Sequence, residues 1–123
     1  MRFKTITSSL IVCIAITTVL TAQNLIGPNW KFQPGDDLAW ADPQYDDASW
    51  NSIIAGRTWE VQGYENLDGF AWYRYSVIIP STLKEKAVKH GGFILRLGRI
   101  DDSDATYFNG ELIGQMGGFP PNY

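Results

Sequence analysis

Residues 97–118, LGRIDDSDATYFNGELIGQMGG, decide how the chain is read. Asn109-Gly110 separates two short alternating runs, and Asn-Gly reaches positive φ at both central positions of a type I′ turn more easily than other pairs. A tight hairpin is expected there, with Phe108 opposite Glu111, Tyr107 opposite Leu112 and Thr106 opposite Ile113. An acidic corner, Asp101-Asp102-Ser103-Asp104, precedes it. A loop of Gly114, Gly117, Gly118, Phe119, Pro120 and Pro121 follows. A hairpin between a carboxylate-rich turn and a glycine-aromatic loop is a way for a β-scaffold to present polar groups outward.

Upstream of this hairpin the apolar pattern is short and strand-like. Trp30 and Phe32 alternate with Lys31, which predicts a strand over 29–32 that Pro34-Gly35 breaks. Residues 38–51 read as loop and turn. Pro43 disfavours a regular ladder, and Trp40, Tyr45 and Trp50 serve as anchors of a long loop over a core. Residues 52–55 suit a brief strand, and 58–69 another connecting loop. The clearest strand runs over 70–79 and ends at Pro80. Period two places Ala71, Tyr73, Tyr75, Val77 and Ile79 toward the core. Trp72 and Arg74 fall on the other face, where Arg74 requires a carboxylate, with Asp101, Asp102 and Asp68 as candidates.

Residues 81–89 suit a turn or one short helix with Ser81 as its cap. His90 reads as a solvated loop residue, with no second His to build a metal site. The last strand before the hairpin is expected over 93–97, with Phe93, Leu95 and Leu97 inward. Five or six short strands with at most one helical turn give an all-β sandwich. Its strands stop short of closure, which is expected of the N-terminal part of a longer protein.

The chain has 123 residues and a formal net charge of −3. Residues 1–22 carry the marks of a secretory signal peptide. Arg2 and Lys4 open it, 6–20 is uncharged and apolar, and Ala22 offers a small residue for cleavage. An apolar run of about 15 residues is short for a membrane span, and Val12 before Cys13 is a poor lipoprotein context. The sandwich is then expected over 23–123, secreted or periplasmic, with no membrane span after cleavage. Its lack of cysteine suits a bacterial periplasm or surface. Loss of Arg2 and Lys4 takes the charge to about −5, which argues against a nucleic-acid partner.

In order along the chain, W-K-F (Trp30 to Phe32), D-D-A-S-W (Asp46 to Trp50), W-Y-R (Trp72 to Arg74), the Asn109-Gly110 hairpin and G-Q-M-G-G-F (Gly114 to Phe119) resemble the N-terminal sugar-binding domain of glycoside hydrolase family 2. That group includes the β-galactosidases and β-glucuronidases. The I-D-D-S-D and F-N-G pattern also resembles the jelly roll inserted in sialate O-acetylesterases. The resemblance implies a galactose-binding-like jelly roll, incomplete at its C-terminal end. It further implies a noncatalytic accessory role, with carbohydrate and a downstream catalytic domain of the same polypeptide as partners. The family's paired catalytic glutamates lie on a separate barrel, and Glu60, Glu65, Glu85 and Glu111 share no motif with them.

Two carboxylates about 5–9.5 Å apart across a cleft are needed for glycoside hydrolysis, and the three aspartates of the acidic corner share one side of one sheet. Catalytic residues are therefore not assigned. Candidate saccharide contacts are Asp101, Asp102, Asp104 and Asn109 for hydroxyl groups, with Trp72, Phe119 and Tyr123 as apolar faces. Arg74, Trp50, Tyr107 and Gly110 are expected to serve the scaffold. No cofactor is expected. Asp101, Asp102 and Asp104 form a weak calcium candidate, which competes with a hydrogen-bonded corner or ion pairs to Arg74 and Arg99.

Overall fold

The computed structural model describes residues 24–100 and 103–118. Five strands and one helix form in the order β1 (Asn29–Pro34), β2 (Asn51–Ile54), β3 (Ala71–Arg74), α1 (Ser81–His90), β4 (Asp104–Phe108) and β5 (Glu111–Met116). They make two antiparallel sheets, one ordered β2-β1-β3 and the other the β4-β5 hairpin. The all-β expectation holds at this level.

β1 lies at the centre, and its alternation assigns the two faces of the first sheet. Trp30 pairs with Ile53 and Phe32 with Tyr73, so these side chains share one face. On that face Phe32 is fully buried, and its ring meets Tyr64 at 4.7 Å, Tyr73 at 5.0 Å and Trp59 at 5.8 Å. Lys31 pairs with Arg74 and Gln33 with Trp72 on the opposite face. There Trp50 is buried beneath the 36–50 loop. The sheet is thus covered on both faces by loop aromatics.

Several expectations are corrected. β1 continues through Pro34, because that residue sits at the strand's end, and the Gly35 N–H closes the ladder on the Phe70 carbonyl at 2.9 Å. The second strand starts and stops one residue early, at Asn51 and Ile54. β3 covers four residues of the ten expected: its ladder ends at the Lys31–Arg74 pair, two residues short of Asn29, where β1 itself begins. Leu38–Ala41 and Glu60–Gln62 form 3-10 turns inside the two loops. The short helix is present, but Ser81 is its first residue, Pro80 holds the cap position, and His90 closes the last turn. A basic last turn of Lys89 and His90 is favourable at a helix C-terminus.

The largest correction concerns 93–97, which forms no strand. Phe93 is 50% exposed and Ile94 80%. The alternation is that of a strand, but a ladder needs a neighbour, and no described residue offers one. In the hairpin, Phe108 faces Glu111 and Tyr107 faces Leu112 as expected, but Thr106 faces Gly114. Ile113 is the extra residue of a bulge, a site where a glycine inside a strand is common.

Candidate functional site

The best-organised cluster lies where the 36–50 loop crosses the first sheet. Three aspartates fold that loop locally by accepting a backbone N–H two residues on: Asp37 from Ala39 at 2.9 Å, Asp42 from Gln44 at 2.8 Å and Asp46 from Ala48 at 3.0 Å. The last of these turns presents Asp47 to Arg74. The Arg74 Nε donates to Asp47 Oδ2 at 2.8 Å. Its remaining nitrogens donate to the carbonyls of Trp40, Asp42 and Tyr45. The guanidinium also lies 5.7 Å from the Tyr45 ring centre and 5.8 Å from that of Trp50. A planar fork with several donors suits this task in a way that a lysine ammonium does not.

Among the described residues the carboxylate partner of Arg74 is therefore Asp47, and not Asp68; the other two candidates, Asp101 and Asp102, lie outside the described residues. Local turn chemistry at Asp46-Asp47 was the available signal, and the sequence separation of 27 residues hid its target.

From this cluster a row of rings leads to the hairpin. Tyr45 meets Trp50 at 5.9 Å, Trp50 meets Trp40 at 5.2 Å, Trp40 meets Trp72 edge-on at 6.2 Å, and Trp72 stacks on Tyr107 at 5.4 Å and 25°. The Trp72 indole N–H donates to Asp36 Oδ1 at 3.0 Å. Asp36 joins the row without having been singled out from the sequence, and Trp40 joins it as one of the expected loop anchors. Gly110, at φ 87°, lies against Pro43, where an added Cβ would come 3.4 Å from Pro43 Cδ. The hairpin tip thus rests on the same loop that Arg74 fixes.

The expected saccharide contacts do not converge on one point. Asp104 opens β4, and its carboxylate accepts from the Thr106 hydroxyl at 3.1 Å. Asn109, at φ 48°, is exposed at the far end of that strand. Five residues of extended chain separate them by about 17 Å, too far for one sugar ring to touch both. Trp72 has one face on Tyr107. Asp101, Asp102, Phe119 and Tyr123 lie outside the described residues. Among the described residues no three His, Cys, Asp or Glu side chains gather into a metal-binding group, and no helix is long and apolar enough to cross a membrane.

Two open grooves border the segment 95–100. One of about 600 Å³ is lined by Leu95, Leu97 and Ile100 on one side and by Ile113 and Met116 on the other. A second of about 380 Å³ lies between Arg96 and the Trp30 end of the first sheet. On the buried face, Tyr73 is the group whose titration is perturbed. Burial raises its phenol above the ordinary tyrosine value, while the Trp59 indole N–H, donating at 2.6 Å, acts in the opposite direction.

Comparison of the chain with protein-family models, with curated proteins and with solved structures finds no match in any of the three.

Proposed function

We propose that this chain is a noncatalytic, carbohydrate-associated β-sandwich of the galactose-binding-like jelly-roll type, an accessory module of an exported glycoside hydrolase of family 2. The observation that carries the reading is the stack of Tyr107 on Trp72. It brings the hairpin against one face of the first sheet, the relation that two layers of a sandwich require. Support also comes from the order of the five motifs and from an aromatic row whose Trp72 end is flanked by the acidic Asp36. Carboxylates accept hydrogen bonds from sugar hydroxyls, and indole faces cover the C–H side of a ring. The 1–22 leader accounts for export.

A specific observation favours a second reading, a structural sandwich without a ligand of its own. Trp40, Trp50, Trp72 and Tyr107 spend much of their ring surface on one another. Calorimetric titration of the full chain with galactosides, glucuronides and sialosides separates the two. Saturable heat at millimolar sugar, lost in Asp36→Asn, supports saccharide binding. No heat with any of the three classes leaves the structural reading.

A further inference from the structure

Residues 93–100, FILRLGRI, combine three properties that rarely coexist in a finished surface. Their apolar side chains are open, with Phe93 at 50%, Ile94 at 80% and Ile100 at 43% exposure. None of their backbone N–H or C=O groups is hydrogen-bonded to another described residue. Arg96 and Arg99 have no ion-pair partner among the described residues, where the one ion pair is Arg74 with Asp47. Across the groove, Ile113 and Met116 of β5 are also more than half exposed.

We propose that 93–97 is a strand position completed by β-augmentation. Its occupant is an extended partner segment with apolar residues at alternate positions and carboxylates between them. A backbone that no described residue pairs with selects a strand over a helix, since only an extended neighbour supplies a row of main-chain donors and acceptors. The apolar alternation of Phe93, Leu95 and Leu97 selects matching apolar residues, which would turn into the groove toward Ile113 and Met116. Arg96, on the alternate face, selects a carboxylate opposite it.

Charge also ranks a second copy below this occupant. Two copies paired antiparallel about Leu95 would place their Arg96 side chains as diagonal neighbours on one face, where like charges repel. Gly98, at φ 84°, interrupts the alternation and limits the added ladder to five residues. Register past that point would fail. The inference does not depend on saccharide binding, so a silent sugar titration leaves it standing.

The test uses the full chain and two synthetic heptapeptides, Thr-Val-Glu-Val-Glu-Val-Thr and its counterpart with lysine in place of both glutamates. Labelled-peptide anisotropy should show binding of the acidic peptide at least about fivefold tighter than the basic one. Amide hydrogen exchange should slow at 93–97 when it binds. Arg96→Glu is an exposed change at the rim of the smaller groove that removes no hydrogen bond or ion pair of the described residues, and it should invert the preference. Equal binding of both peptides, no binding at millimolar peptide, or protection of 93–97 that tracks dimer formation without peptide would each overturn the proposal.

Discussion

The first sheet and the 93–116 region use similar side chains and reach opposite states. Around β1 the strand edges and loop carbonyls are taken up by side chains. Arg74 gathers three carbonyls, and Gln62 serves as a surrogate strand neighbour for Ile54. The Gln62 Oε1 accepts from the Ile54 N–H at 2.7 Å, and its Nε2 reaches the Ile54 carbonyl at 3.2 Å. In the 93–116 region, Phe93, Ile94, Leu95, Leu112 and Ile113 are each at least 41% exposed. The difference is one of cover and not of hydrophobicity: 93–97 has no ladder among the described residues, and β5 is laddered to β4 but has no covered face, whereas an apolar strand is stabilised only when both are in place.

The largest break in this contrast is Phe32→Ala. Removal of a fully buried ring that touches Trp59, Tyr64 and Tyr73 should cost about 3–5 kcal/mol in urea unfolding. Arg74→Leu comes next. It leaves Asp47 and three carbonyls without their donor, for a loss of about 3 kcal/mol, and Arg74→Lys should recover only a minor part. Gln62→Leu keeps the volume but strips the cap from Ile54, at about 1–2 kcal/mol.

Alkaline titration tests the same buried face. Because burial raises the Tyr73 pKa in the folded state, its contribution to stability is complete below the unfolded tyrosine value of about 10 and is lost as pH rises through the higher folded value. Urea midpoints should therefore fall above about pH 10, and less steeply in Tyr73→Phe. The smallest effect is expected from Ile94→Ser, within about 0.5 kcal/mol, since the side chain is already in water. An Ile94→Ser cost approaching that of Phe32→Ala would erase the contrast.

What the sequence disclosed follows from how local each signal is. Asn109-Gly110 fixes a turn within two residues, and the Tyr107–Leu112 pairing follows from it. Period two put Tyr73 on the buried side of β3 and Arg74 on the other, among aromatic rings. The Arg74–Asp47 pair and the Gln62 cap were invisible because each joins segments whose approach depends on the folded loops. The pattern over 93–97 was legible as a strand, but a strand is a property of two segments, and the second is not written in its own alternation. For the candidate site the sequence supplied Trp72 and Tyr107 as separate residues. Their stack, and the part of Asp36 in holding it, required the register of β1 with β3.

Residue-resolved amide hydrogen exchange on the full chain, without any added peptide, tests most directly whether the first sheet is paired and 93–97 is not. The account predicts slow exchange at Phe32, Ile53 and Trp72, whose N–H groups face the ladders of β1, and exchange at the free-peptide rate from Phe93 to Leu97. Protection at 93–97 equal to that of β1 would contradict it.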